Sequence, residues 1–200
     1  MSLSERSGVS TSSTSGLHAD ALGLLEAWGA PDPAQESLRV QYVDHLRRRA
    51  DGLERACFPD HVTAGVLVLS HDGRQVLLNL HRKARRWFAF GGHLEWGDAT
   101  LAGAALREGT EESGLPDLAV DPVPVHLSLH EVGFCDPRGT VRHLDVRFLA
   151  RLEGAGEPVG SEESLDLRWF PVDDVPTDEP DMLDLIRLAG ERLRRSAELS

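Results

Sequence analysis

The sequence predicts an α/β (α+β) protein, a sandwich of strands and helices preceded by an N-terminal helical extension. Three observations carry this. From residue 59 onward, apolar residues gather in short strand-length segments bounded by turn signals. Stripes of helical period interrupt and then close that series. The chain has 200 residues, enough for one domain with its own core and no disulfide staples. Strands mixed with helices over about 120 residues are the pattern of a layered fold.

The elements follow in order. Residues 1–16 hold nine Ser or Thr and almost nothing apolar, which predicts a disordered tail. Leu17, Ala21, Leu24, Leu25 and Trp28 recur at helical spacing, and Gly29 with Pro31 ends the run. Asp32 and Gln35 then stand as a capping box, with Pro33 at the first helical position. Leu38, Tyr42 and Leu46 line one face of this second helix, and Arg47–Arg49 sits where cations suit the macrodipole, as a solvated end. Residues 17–58 thus form the extension, and residues 59–200 the main domain.

Val62–Leu69 is apolar enough to be a strand buried on both faces. His71-Asp72-Gly73 turns it into Gln75–Leu80, so 62–80 reads as a hairpin. Val123–Val132 and Val141–Leu152 are strands, with the turn Asp136-Pro137-Arg138-Gly139 between them, and Leu165–Phe170 is another. A helix over Thr100–Ser113 stops at Gly114. A last helix over Pro180–Arg195 carries Met182, Leu185, Ile186, Ala189 and Leu193 on one face, with acids at its start and arginines at its end.

Lys and Arg number 21 against 33 Asp and Glu, a net charge of −12. That balance disfavours a nucleic-acid or anionic-membrane partner, since both are polyanions. It is compatible with a small anionic substrate, because a bound divalent cation inverts the local field. Cys57 and Cys135 are the only cysteines, which excludes a disulfide scaffold and a four-cysteine zinc site. No apolar run approaches the roughly 18 residues of a membrane span, and no signal-peptide pattern opens the chain. A reduced, cytoplasmic setting is the expectation.

The informative segment runs from Gly91-Gly92-His93-Leu94-Glu95-Trp96-Gly97-Asp98 into the helix ending Arg107-Glu108-Gly109-Thr110-Glu111-Glu112-Ser113-Gly114-Leu115. Glu108, Glu111 and Glu112 stand at i, i+3 and i+4, so their carboxylates share one helix face. Leu101, Ala104 and Ala105 lie on the same stripe, which begins apolar and ends in three acids. Like charges at this spacing repel, and acids near a helix C-terminus oppose the macrodipole. Arg107 can pair with Glu111, but one cation does not neutralise three acids. A hard divalent cation would, and Mg²⁺ takes oxygen ligands and bridges to substrate phosphate. A solvated acidic helix end is the plain alternative.

This segment resembles the Nudix box, the signature of the Nudix hydrolases: Gly, five residues, Glu, seven residues, then Arg-Glu-apolar-x-Glu-Glu-x-Gly-apolar. Here Gly92 is followed by five residues and Asp98, and Arg107, Glu108, Glu111, Glu112, Gly114 and Leu115 match the second half position by position. Asp98 replaces Glu, eight residues rather than seven separate it from Arg107, and Gly109 stands where the family has an apolar side chain. Gly in a helix interior costs about 1 kcal/mol against Ala.

The resemblance spans roughly residues 59–176 and implies the Nudix fold, a mixed β-sheet sandwiched between helices, with residues 17–53 outside the family core. It implies a Mg²⁺-dependent hydrolase, with Mn²⁺ as the alternative ion, that cleaves a phosphoanhydride of a nucleoside diphosphate derivative by attack of water at phosphorus. Glu108, Glu111 and Glu112 would bind metal, one of them doubling as general base, with backbone at Gly91–Gly92 walling the site. Arg107 would orient Glu111 or Glu112. Members often add an acid from a loop before a late strand, and Glu163, six residues before Trp169, stands in a similar place. A homodimer is the family habit.

Substrate contacts are expected from His130, Trp87 and Asp145. His126 and His130 can share a strand face, as can His143 and Asp145. In some members the region about fifteen residues past the box carries a Pro or Tyr typical of hydrolases of ADP-ribose or dinucleoside polyphosphates; His130 is here instead. A His-rich zinc site lacks a recognised spacing. Trp87 or Trp96 could stack on a base, whereas Phe88 and Phe90 are read as core. Two other readings compete. One is a Nudix-fold module that binds a nucleotide without cleaving it. The other is the related isomerase of prenyl diphosphates, which needs Cys and Glu positions not seen here.

Overall fold

The computed structural model describes residues 12–154, 156–162 and 164–198. Its elements are α1 (Ser12–Ala27), α2 (Pro33–Arg48), β1 (Asp60–Leu69), β2 (Gln75–His81), β3 (Trp87–Phe88), β4 (Phe90–His93), α3 (Leu101–Ser113), β5 (Leu118–Val120), β6 (His126–Asp136), β7 (Gly139–Leu152), β8 (Ser164–Pro171) and α4 (Pro180–Glu198). Most of the expected elements are present within a few residues. Helix α1 opens at Ser12, so residues 12–16 are helical and not part of a disordered tail. Once a helix is nucleated, each added residue gains a hydrogen bond, so the amphipathic run behind it carries a polar segment along. The remainder of the expected tail, residues 1–11, lies outside the described residues.

The eight strands form one mixed sheet with the path β3-β2-β1-β7-β5, to which β4 is added on β1, β6 on β7 and β8 on β2. Strand β1 is the axis. It runs parallel to β7 from Asp60↔Arg142 to Leu69↔Arg151, antiparallel to β4 through Thr63↔His93 and Ala64↔Gly92, and antiparallel to β2 at its end through Val68↔Leu77. A strand with partners along its length and layers on both faces must be apolar throughout, and Val62 to Leu69 are all buried.

Alternation sorts β1 between two cores. Val62, Ala64, Val66 and Val68 face a cluster with Leu101, Ala104 and Ala105 of α3 and with Leu17, Leu25, Trp28, Tyr42 and Leu46 of the first two helices. Leu67 and Leu69 face a second cluster with Met182, Leu185, Ile186 and Ala189 of α4. The sheet therefore lies between α1–α3 and α4. Strand Phe90 belongs to the first cluster, as expected, while Phe88 is half-buried edge-on to His81.

The first two helices are built into this core. Trp28 Nε1 donates to the Pro124 carbonyl at 2.7 Å and Tyr42 Oη to the Ser128 carbonyl at 2.6 Å. Asp32 caps α2 by accepting from Gln35 N at 2.9 Å, with Pro33 in the first turn. Only this half of the expected capping box forms. The Gln35 amide instead pairs with β6, donating to Leu127 O at 3.0 Å and accepting from Leu127 N at 2.6 Å. A buried edge strand needs its backbone groups satisfied, and the primary amide supplies both a donor and an acceptor. Helix α1 also reaches the box helix: Asp20 Oδ2 accepts from Leu101 N, the first amide of α3, at 3.1 Å.

Candidate metal-dependent active site

Helix α3 starts with two acceptors on its free amides, Thr100 Oγ1 on Gly103 N at 2.9 Å and Asp20 on Leu101 N. It ends at Gly114 with φ 69°, a left-handed cap that favours glycine. Between these ends its apolar stripe is pressed onto β1. A Cβ placed on Gly109 would lie 2.8 Å from Val66 Cγ1 and 3.4 Å from Leu118 Cδ1. The departure at Gly109 is thus explained by close approach: helix and strand are too near for a side chain there.

That approach sets Glu108 against β4. A Cβ on Gly92 would lie 2.7 Å from Glu108 Oε1 and 2.9 Å from its Oε2, so the carboxylate occupies the space a side chain would take. Gly91 beside it has φ 154°, and a Cβ there would strike Gly65 Cα at 2.7 Å and Ala64 O at 2.8 Å. The two glycines serve different ends, one admitting a carboxylate and the other a crossing of backbones.

Arg107 holds the loop to the helix. Its Nε and Nη2 donate to the two oxygens of Asp98 at 3.1 and 3.0 Å, Nη2 also to His93 O at 3.0 Å, and Nη1 to Glu108 Oε1 at 3.0 Å and Glu111 Oε2 at 3.2 Å. Asp98 further accepts from Glu95 N at 2.7 Å. Bidentate pairing of this sort fixes geometry as well as charge. The extra residue before Arg107 does not prevent the pairing, and Asp98 is the loop's anchor. Glu95 and Trp96 lie in the same turn, and Trp96 is 62% exposed.

Glu108 is half-buried, with its side chain 14% exposed against 60% for Glu111. Burial pushes its carboxyl above the usual range, and Glu111 and Glu95 add to the push, while the bond from Arg107 opposes it. Glu112 is half-buried on the same face. The carboxylate oxygens of this face, beside backbone at Gly92, are the hard oxygen donors that a divalent cation takes.

The other expected site residues are placed differently. Asp145 is buried on β7, where it accepts from Thr63 Oγ1 at 3.0 Å and from Arg147 Nε at 2.8 Å. Arg147 is also bonded to Asp181 at the start of α4. The carboxylate is engaged in an interior ion pair. Trp87 is half-buried and packs edge-on to Phe170 at 4.9 Å against the second core cluster. His130 is exposed on β6, its ring 5.4 Å from His143. Glu163 lies outside the described residues.

One group of polar side chains was not assembled by sequence reasoning. Register places His61 opposite His143, and Thr63 opposite both His93 and Asp145. Residues two apart share a face, so His61, His93 and His143 converge, with Cys135 of β6 added from beyond the register shift at Val132/Asp136. The four ligand atoms lie within 4.8 Å of one another. Burial lowers the imidazole of His61, takes that of His93 down to about 4 and that of His143 to about 3.

Comparison with known proteins places the chain. The NUDIX domain family model matches residues 59–189, so the chain belongs to the Nudix family. Nudix hydrolases generally use divalent metal ions. No curated protein matches the sequence. Among solved structures, a C. elegans Ap4A hydrolase in a binary complex is 20% identical, covers 67% of this chain and 98% of its own, and superposes with a TM-score of 0.57. The E. coli dihydroneopterin triphosphate pyrophosphohydrolase is 19% identical, covers 65% of this chain and 95% of its own, with a TM-score of 0.53. The NUDIX domain of Shewanella oneidensis NrtR complexed with ADP ribose is 22% identical, covers 66% and 87%, with a TM-score of 0.50. At these identities the likeness is one of fold. No helix among the described residues is long and apolar enough to cross a membrane.

Proposed function

We propose that the chain hydrolyses a phosphoanhydride bond in a nucleoside diphosphate derivative, with Mg²⁺, or Mn²⁺ in its place, held by Glu108, Glu111 and Glu112. The observation that carries this reading is Glu108 set against Gly92, its carboxyl raised by burial and its arginine shared with Asp98 and Glu111. A half-buried acid that shares its one arginine with Asp98 and Glu111 gains from a cation that completes it.

A bound divalent cation supplies neutralisation of phosphate charge and acidification of a water molecule. The chain's own residues do the rest. Glu111 or Glu112 on the box face would accept the proton of the attacking water. The new O–P bond forms as the bridging P–O bond breaks, and the leaving phosphate departs with the anhydride's electron pair. Arg107 is a positioning residue, since it fixes Asp98, Glu108 and Glu111 to one another. Trp96, exposed in the box turn, offers a face on which a base can stack. The net charge of −12 suits a small substrate met through a cation better than a polyanion. The homodimer is carried over from family habit, while the cytoplasmic setting rests on the cysteine content and the absence of a nucleic-acid partner on the net charge of −12.

The test is product release from a panel of nucleoside diphosphate derivatives, with and without Mg²⁺, for the wild type and Glu112→Gln. Metal-dependent turnover that vanishes in the variant is expected. Tight ligand binding with no turnover on any compound would replace the enzyme by a sensor.

A further inference from the structure

We propose that His61, His93, Cys135 and His143 form a tetrahedral site for a zinc-class transition-metal ion, separate from the carboxylate site and on the opposite face of the sheet.

The separation follows from strand alternation. In β4, Gly92 pairs with Ala64 and faces Glu108 and the α3 side, so its neighbour His93 points the other way. His61 and His143 pair across β1 and β7 on that second face. It is the face that α4 covers farther along, through Leu67, Leu69 and Leu149.

The distances suit one ion. Zinc takes nitrogen at about 2.0–2.1 Å and thiolate sulfur at about 2.3 Å, so tetrahedral edges are roughly 3.3 Å between nitrogens and roughly 3.6 Å from nitrogen to sulfur. Here His61 Nε2 and His93 Nε2 are 3.1 Å apart, His93 Nε2 and Cys135 Sγ 3.3 Å, and His143 Nε2 and Cys135 Sγ 3.5 Å. All four atoms lie within 4.8 Å of one another.

The tautomer of His61 points the same way. Its Nδ1 is 3.0 Å from the Cys57 carbonyl, which can only accept, so that nitrogen carries the proton. The lone pair is then on Nε2, aimed into the cluster from a fully buried ring. A backbone carbonyl behind a histidine is the usual way of orienting a metal ligand. Three imidazoles and one thiol facing a common centre have few donors to share among so many lone pairs, whereas a soft-to-borderline cation satisfies all four. Carboxylate-seeking Mg²⁺ is a poor match for this set.

Four protein ligands leave no position for water, which makes the site structural. It would tie β1, β4, β6 and β7 together directly behind the box. His93 O accepts from Arg107, so a metal on His93 also steadies the strand that carries Gly91 and Gly92. Binding would convert the Cys135 thiol to thiolate and release its proton to solvent.

The experiment uses the full, reduced, chelator-stripped protein titrated with Co²⁺, a spectroscopic stand-in for zinc. About one equivalent should produce intense tetrahedral ligand-field bands and a thiolate-to-cobalt charge-transfer band, both displaced by Zn²⁺ and unaffected by excess Mg²⁺. Glu112→Gln should keep the charge-transfer band, and Cys135→Ser should lose it. His143→Gln, with the thiol intact, should weaken Co²⁺ binding at least tenfold. No charge-transfer band in the wild type overturns the proposal. So does a band that survives Cys135→Ser, which would assign it to Cys57, or one that Glu112→Gln abolishes.

Discussion

Replacing Gly92 by Ala should impair activity while sparing the fold, whereas Gly91→Ala should destabilise the fold itself. The new methyl at position 92 would stand 2.7 Å from Glu108 Oε1 and 2.9 Å from Cδ. A comfortable carbon–oxygen contact is about 3.3 Å, so the carboxylate must retreat by roughly half an ångström or more. It sits at the end of a flexible side chain, and the backbone at 92 is not in the left-handed region. The melting temperature should therefore change little, by about 2 °C or less, consistent with a few tenths of a kcal/mol. The acid that yields is the one beside the proposed cation, and misplacement on the ångström scale costs about 100-fold in rate. Expected, then, is a 10- to 100-fold loss of turnover and weaker Mg²⁺ binding with near-native stability. At position 91 the methyl would meet Gly65 Cα and Ala64 O, which are backbone, with φ at 154°. That strain cannot relax locally and should cost about 2 kcal/mol or more. The assay is a denaturation curve and an initial-rate measurement on each variant. A Gly92→Ala protein with wild-type turnover would refute the reasoning, because Glu108 would then not need the place it occupies.

Other expectations follow from the same contacts. Gly109→Ala gains about 1 kcal/mol of helix propensity but puts a methyl 2.8 Å from the buried Val66, so overpacking of about 1–3 kcal/mol should win and lower stability in urea titration. Asp20→Ala leaves the buried amide of Leu101 without its acceptor and should destabilise by about 1–2 kcal/mol, read as a shift in denaturation midpoint. Glu108 has a folded-state carboxyl raised above its unfolded value, so the folded state binds more protons through that window. Taken alone, that proton uptake favours the fold as pH falls, but the imidazoles of His93, His126 and His143, taken by burial down to about 4, 4 and 3, oppose it more strongly, so metal-free protein should lose stability below about pH 6.5 while Mg²⁺ affinity falls. Glu108→Gln should steepen the loss of stability and flatten the fall in Mg²⁺ affinity, both read by calorimetry.

What was legible in the sequence was local. The α3 stripe, its end at Gly114 and the shared face of Glu108, Glu111 and Glu112 depend on spacings within one helix. The long strands β1, β2, β6 and β7 were readable because apolar runs of that length between turns have few other fates. Strands β3, β4 and β5 are too short for a period to show. Gln35 was read correctly as near a cap, but its partner Leu127 lies far along the chain, and nothing local announces it. For the same reason the extension's role was hidden: Asp20 reaches Leu101 only once α1 is packed. The neighbours of Asp145 and Trp87 were not legible, because residue type says what a side chain can do and not which neighbour it meets. His61, His93, Cys135 and His143 have no motif spacing, and only the register of four strands gathers them.

The account rests on a divalent cation held by the box face of α3, and Mn²⁺ binding followed by electron paramagnetic resonance measures that directly. Full-length protein should bind Mn²⁺ saturably, Mg²⁺ should displace it, and Glu108→Gln and Glu112→Gln should each weaken binding at least tenfold while Cys135→Ser leaves it unchanged. Mn²⁺ binding of equal strength in the wild type and both glutamine variants would contradict the account.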